Sequence, residues 1–267
     1  MKTVAYTCLH YGRDYLGAAI RSVIDHVDEY HVIYTAKGSH GHRTDIQCPE
    51  SRDELYLIAA AAAGDKLRWH EGEWLWEGQQ REMIFQYAPD ADVILALDAD
   101  EIWSPGLAKN LIEFAKYGDQ STEPRCNWRV PMIHYWRSLN RAVLHDPAFP
   151  VRLILPHGKY ILASQLDPAY PVPYSRSEET MPRGFGVINH MGYAQRSEIV
   201  GYKLLTHGHR GEFRRDCDWF NDVFMTNRQH DCHPVGSEYW NPEAVNPLDY
   251  LPAWMADHPY FGMEVIP

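Results

Sequence analysis

The sequence predicts an α/β fold: a parallel sheet with helices on both faces, followed by a mixed C-terminal part. Three observations predict it. The first half alternates strand-like and helix-like segments in the order βαβαβαβ. Its fourth strand, Val93 to Leu97, is apolar at every position, as in a strand buried on both faces. That strand ends abruptly in the acids of Asp98-Ala99-Asp100-Glu101, at the carboxyl edge where open α/β sheets bind ligands.

The elements follow in order. Thr3 to Leu9 reads as the first strand, and Asp14 to Val27 as an amphipathic helix with Leu16, Ile20, Val23, Ile24 and Val27 on one face. Tyr30 to Ala36 is the second strand. Ser51-x-x-Glu54 is a capping box that opens an alanine-rich helix closed by Gly64. Leu67 to Trp69 is a short third strand, Glu77 to Tyr87 a third helix, and Asp92 to Leu97 the fourth strand. Ser104-Pro105 is expected to cap the next helix, Pro105 to Lys116. The pattern then changes. Asn127 to Trp136, Val151 to Leu155 and Val187 to Met191 are short strands between Pro-rich loops, and Ser197 to Thr206 and Asp216 to Thr226 are helical. There are no repeats and no low-complexity linker.

The chain has 267 residues, 45% of them apolar, as expected of one large domain or of one domain with an appendage. A formal net charge of −11 argues against broad nonspecific binding to nucleic acid or anionic membrane. No apolar run approaches the roughly 20 residues of a membrane helix, and the N-terminal stretch lacks a signal-peptide layout. Cys8, Cys48, Cys126, Cys217 and Cys232 are odd in number and scattered, as expected of free thiols in a reducing cytoplasm.

Asp98 and Asp100 are two residues apart, so on extended chain they share a face. Close carboxylates repel unless a cation or proton lies between them, and a hard divalent ion takes such oxygens together with substrate phosphates. An isolated Asp-x-Asp also fits solvated acids at a strand end. Because Ser104-Pro105 already serves the next helix, Asp98, Asp100 and Glu101 are left with no structural task, which favours a metal–diphosphate site. Arg81, at the start of the third helix, has a planar fork suited to a diphosphate and equally suits a solvated face. His190 ends a strand-like run. A lone His there is usually structural, but here a neutral imidazole would complete a divalent-metal site. His40-Gly-His42, His207-Gly-His209 and His230-Asp-Cys232-His233 lack zinc-finger spacing. There is no Gly-x-Gly-x-x-Gly, no Walker loop and no Gly-x-Ser-x-Gly.

Together, YTCLHYGRDYL, AAIRSVI, QQREMIF, ILALDADEIW and INHMGYAQRSEIVGYKLL resemble glycosyltransferases of the GT-A fold, nearest the family-2-like group. The resemblance spans roughly residues 1–210, implying a GT-A-like catalytic domain with a Rossmann-type nucleotide-diphospho-sugar-binding sheet. Residues 211–267 would be a helical and irregular extension packed on the same domain. The resemblance implies that Asp98 lies near the donor ribose or the metal, that Asp100 binds Mn2+ or Mg2+ on the donor diphosphate, and that His190 is a third protein ligand. Thr7, Leu9 and Tyr11 would line the nucleobase pocket, Arg81 and Lys203 would neutralise donor phosphate, and the C-terminal third would form the acceptor side. The second strand departs from the family pattern by ending in Thr35-Ala-Lys37-Gly-Ser39 where acids are common. No Glu-Asp base motif follows the acidic strand, leaving Asp146 and Asp167 as candidate catalytic bases.

The function implied is metal-dependent transfer of a sugar from a nucleotide-diphosphate donor, a UDP-sugar foremost, to a hydroxyl of a glycan, protein or modified nucleobase. Three alternatives stand beside it. One is a phage-type DNA-modifying glycosyltransferase acting on a hydroxymethylpyrimidine, with Trp128-Arg129, Trp136-Arg137 and Arg141 as its groove. The others are a nucleotidyltransferase and a non-catalytic sugar-binding module.

Overall fold

Residues 1–38, 45–75, 77–117, 127–146, 149–156, 179–206, 213, 216–236 and 240–265 are described by a computed structural model of the chain. Its strands are β1 (Thr3–Leu9), β2 (Glu29–Tyr34), β3 (Leu67–Glu71), β4 (Val93–Leu97), β5 (Glu101–Trp103) and β6 (Asn127–Arg129). They continue with β7 (Met132–Trp136), β8 (Arg141–Val143), β9 (Val151–Ile154), β10 (Glu179–Thr180), β11 (Ile188–Tyr193) and β12 (Glu243–Ala244). The helices are α1 (Leu16–Arg21), α2 (Arg52–Ala63), α3 (Glu77–Glu82), α4 (Ile84–Tyr87), α5 (Leu107–Tyr117) and α6 (Ser197–Thr206).

The larger sheet runs β10-β6-β9-β4-β1-β2-β3. Its centre, β4-β1-β2-β3, is parallel, as the alternation predicts. The antiparallel strand β9 makes the whole sheet mixed. Strand parity explains how both faces are covered. Ala5 and Leu9 of β1 and Val93, Leu95 and Leu97 of β4 pack on α1, α2 and α5. Val4, Tyr6, Ile94 and Ala96 point the other way, towards Ile84 of α4 and Ala88. From β1 the chain winds out through β2 to β3, then returns to place β4 on the other side of β1. The carboxyl ends of β1 and β4 therefore flank the point where the winding reverses, the usual ligand crevice of open α/β sheets.

A smaller sheet, β12-β8-β7-β11-β5, packs beside the first. The chain passes from one sheet to the other with only three residues between strands: β4 stops at Leu97 and β5 begins at Glu101. Asp98-Ala99-Asp100 is thus the crossover at the seam. C-terminal residues cover the second sheet, where Leu251 and Met255 share a core with Ile102 and Ile133. His258 stacks on Tyr15 with ring centres 4.9 Å apart.

Several elements differ from expectation. The helix expected over 14–27 is confined to α1, with a 3-10 turn at Ile24–His26. The expected third helix is divided into α3 and α4 at Met83. Asn127–Trp136 forms two strands in different sheets, because Val130-Pro131 separates β6 from β7 and Pro131 has no N–H for a ladder. Phe220–Met225 is a π-helical segment where an α-helix was expected over 216–226. Ser51 caps α2 as expected, its Oγ accepting from the Glu54 N–H at 3.2 Å, but the Glu54 carboxylate pairs with Arg13 at 3.0 Å instead of returning to the cap. Ser104 does not use its hydroxyl as a cap. Its Oγ accepts from the Val187 N–H at 2.9 Å, and the helix starts at Leu107.

Candidate functional site

A cleft opens at the carboxyl ends of β1 and β4, lined by residues that include Cys8, Leu9, His10, Tyr11, Glu77, Gln80, Arg81, Asp98, Asp100, His190, Gln195 and Lys203. Its floor depends on close approach between two loops. Gly12 has φ +152°, and a Cβ there would lie 2.5 Å from Ala99 Cβ, so only glycine lets the turn after β1 rest on the seam. The amides of Gly12 and Arg13 donate to buried Glu50 Oε2 at 2.7 and 2.9 Å, and Arg196 holds its other oxygen at 2.8 Å.

The first acid of the seam is bound to arginines. Asp98 Oδ1 accepts from Arg81 at 2.8 Å and Oδ2 accepts from Arg152 at 2.7 Å. Arg152 also donates to both oxygens of Glu101, through Nε at 2.7 Å and through Nη2. Burial raises the proton affinity of Asp98, but Arg152 and Arg81 outweigh it and hold the carboxyl well below the usual range. Burial pushes Glu101 up despite Arg152. This corrects two expectations. Asp98 and Glu101 do have a structural task, and Asp98 has both oxygens committed to arginines where a metal ligand was expected. Arg81 lies at the cleft, yet its Nε and Nη2 are held by Glu77 Oε1 at 2.9 and 2.7 Å.

The second acid is differently placed. Asp100 Oδ2 accepts from Gln195 at 3.0 Å and faces His190 Nε2 at 3.6 Å. Burial opposes its ionisation, but His190 and then Lys203 hold its pKa down to about 2. His190 is paired in register with Glu101 on one side and with His134 on the other. Its ring lies back over Gly192, where a Cβ would stand 2.5 Å from Cε1. Lys203 Nζ sits 5.3 Å from the Tyr193 ring centre.

Of the residues expected at the nucleobase, Leu9 and Tyr11 line the cleft. Thr7 does not: it is fully buried, with Oγ1 2.5 Å from the Tyr30 hydroxyl. His10, which sequence reasoning passed over, sits on this wall between the Thr35 carbonyl at 2.9 Å and the Tyr202 hydroxyl at 2.7 Å. Asp146 is not among the residues that line the cleft. Its Oδ2 accepts from the Trp240 indole at 2.6 Å and lies 3.5 Å from His134 Nε2. Asp167, His40, His42, His207, His209 and Cys126 lie outside the described residues. Burial lowers His233 to about 4, and its ring packs on Trp240 at 4.7 Å. The residues proposed as a nucleic-acid groove are mostly internal: Trp128 and Trp136 are fully buried, and Arg137 bonds the carbonyls of Phe224 and Met225 at 2.5 and 2.9 Å.

Among the described residues no group of three or more His, Cys, Asp or Glu converges as a metal cage. Asp100 and His190 still fit a shared ion. Their facing atoms are 3.6 Å apart, so both can reach one divalent cation at about 2.1 Å. Three cations (Arg81, Arg152, Lys203) stand against four carboxylates (Glu77, Asp98, Asp100, Glu101), one negative charge in excess. A divalent ion would turn that balance positive.

No family model matches the sequence, and no curated protein matches it. Several solved structures are similar to it. Glucosyl-3-phosphoglycerate synthase from Mycobacterium tuberculosis, in complex with Mn2+, uridine diphosphate and phosphoglyceric acid, is 12% identical over 76% of this chain and 75% of that chain, with TM-score 0.39. S. aureus TarS 1–349 is 14% identical over 50% of this chain and 36% of that chain, with TM-score 0.35. The galactosyltransferase LgtC, in complex with donor and acceptor sugar analogues, is 15% identical over 48% of this chain and 46% of that chain, with TM-score 0.32. The match thus spans about a third of the TarS chain and under half of the LgtC chain. The chemistry of the cleft rests on the residues described above.

Proposed function

We propose that this protein is a metal-dependent glycosyltransferase that moves a sugar from a nucleoside-diphosphate donor, a UDP-sugar foremost, to a hydroxyl acceptor. One observation carries the reading. A carboxylate and an imidazole, Asp100 and His190, face each other at 3.6 Å beside Lys203, in the crevice between β1 and β4.

Each residue has a physical task in this reading. Asp100 and His190 hold Mn2+ or Mg2+, which when bound neutralises charge on the departing diphosphate. Lys203 supplies a further positive charge to the same group. Leu9, Tyr11 and His10 form the wall for the nucleobase. Asp98 acts indirectly: by joining Arg81 to Arg152 it fixes the seam from which Asp100 projects. Asp146 stands behind His134, 3.5 Å from its Nε2, and acts through that ring. Among the described residues no helix is long and apolar enough to cross a membrane.

Thermal unfolding with Mn2+, with UDP and with both tests the reading. If the two bind cooperatively and reach about 100 times the dissociation constant, stabilisation is about 2.7 kcal/mol, a rise of roughly 5–10 °C for a chain of this size. Mass spectrometry across a panel of nucleotide sugars should then show Mn2+-dependent nucleotide release. Additive shifts and no release with any donor would reject the assignment.

A further inference from the structure

His134 and His190 are register partners on the parallel strands β7 and β11. Their Nδ1 atoms are 2.9 Å apart and their rings are nearly perpendicular, at 88°. At that separation one proton must lie between the two nitrogens, since two lone pairs repel and two N–H groups collide. Two assignments exist: either ring donates to the other.

Either assignment sets one lone pair against a carboxylate, and the more buried of the two ends decides: His134 and Asp146 are 11% and 12% exposed, His190 and Asp100 19% and 16%. His134 Nε2 is buried, has no hydrogen-bond partner among the described residues, and lies 3.5 Å from Asp146 Oδ2. The carboxylate is held there by the Trp240 indole N–H at 2.6 Å. If His134 carried its proton on Nδ1, the Nε2 lone pair would face a carboxylate in a buried place, where repulsion is poorly screened. With the proton on Nε2, an N–H faces that oxygen and Nδ1 becomes an acceptor. His190 must then donate through Nδ1–H. In the neutral ring its Nε2 then keeps a lone pair, 3.6 Å from Asp100 Oδ2. A lone pair facing a carboxylate is itself unfavourable until a cation comes between them.

We propose that Asp146 and His134 are positioning residues that fix the tautomer of His190, so that its Nε2 is presented with a free lone pair to a divalent cation shared with Asp100. This rests on the metal-dependent reading of the cleft. It replaces the base role first considered for Asp146 with one exerted through two imidazoles. The arrangement follows a general habit of metal-binding histidines, whose second nitrogen donates to an outer partner that sets ring orientation and tautomer.

Two measurements on the full chain test it. In the metal-free protein with 15N-labelled histidine, held at alkaline pH so that the imidazoles are neutral, long-range 1H–15N correlation reports the tautomers. His190 should be protonated at Nδ1 and His134 at Nε2. Mn2+ titration without nucleotide then reads affinity. His134→Leu should weaken binding about 10–100-fold. His134→Asn, whose amide oxygen replaces the Nδ1 acceptor, should restore it to within a few-fold. A His190 protonated at Nε2 overturns the relay whatever the metal result, as does His134→Asn binding as poorly as His134→Leu. A wild-type protein with the expected tautomers that binds no Mn2+ refutes the metal reading and leaves the tautomer assignment standing.

Discussion

The backbone N–H of Met191 donates to the carbonyl of Asp100 at 2.8 Å, so the residue after His190 is tied to the residue His190 faces. The pairing of imidazole and carboxylate is therefore set by main chain. β11 lies antiparallel to β5, and the hydrogen bond at their end fixes how far the histidine reaches into the seam. The main-chain bond sets where the two side chains start, and Gly192 and His134 then hold the His190 ring.

If these two residues form the metal site, Asp100→Asn and His190→Ala should each lower Mn2+ affinity at least tenfold in a titration without nucleotide. His233→Ala, whose ring packs on Trp240 and is not among the residues lining the cleft, should change it less than threefold. Equal damage from His233→Ala would mean that the wrong histidine has been chosen.

Gly192 is the second support of His190. A Cβ would lie 2.5 Å from Cε1 and 2.8 Å from Nε2, so Gly192→Ala must move the ring off Asp100. Overpacking of this kind costs about 1–3 kcal/mol, leaving a folded protein in which to look for lost Mn2+ affinity. Circular dichroism and calorimetry check the two parts. A folded Gly192→Ala protein with wild-type affinity would show that the ring position is not what matters.

Much of this geometry was legible in the sequence, and the reason it was incomplete is physical. The apolar run Val93–Leu97 and its acidic end identify a buried strand and its ligand edge, because burial on both faces leaves a local pattern. The partners of those acids leave none. Arg152 reaches Asp98 and Glu101 from β9, in a pairing that no periodicity near residue 98 encodes. Its only signal is a charge inside the apolar run Val151-Arg-Leu-Ile, where an unpaired arginine would be too costly to bury. His134 carries the same signal within Met132-Ile-His-Tyr-Trp. Thr7 shares strand parity with Leu9, but one step deeper in the sheet its hydroxyl meets Tyr30, so it does not line the cleft where the resemblance implied it.

Asp98 gives a prediction about stability. Its folded proton affinity lies below the unfolded value, for which the carboxyl reference is about 3.9. Such a group contributes stability above the unfolded value and loses it as pH falls through the lower, folded one. Asp98→Asn removes a shared partner of two buried arginines, so a loss of about 3 kcal/mol is expected at neutral pH. The gap to wild type should narrow steadily below about pH 4 in urea unfolding. A gap that stays constant into strong acid would refute the ion-pair account.

The two cations first assigned to donor phosphate should now separate. Arg81 is buried and held by Glu77 and Asp98, while Lys203 lines the cleft, forms no ion pair among the described residues and has its ammonium over the Tyr193 ring. Losing a charge-assisted contact costs about 1.5–3 kcal/mol, roughly 10–150-fold in the dissociation constant. Lys203→Ala should show that loss for UDP in the presence of Mn2+, with an unfolding midpoint within about 2 °C of wild type. Arg81→Ala should do the reverse in emphasis, lowering the midpoint by several degrees because Asp98 and Glu77 lose their partner. Calorimetry of UDP binding beside thermal unfolding of both variants decides. If Arg81→Ala abolishes UDP binding without lowering the midpoint, its guanidinium leaves Glu77 for the diphosphate when the donor binds, and Lys203 is not the principal phosphate cation.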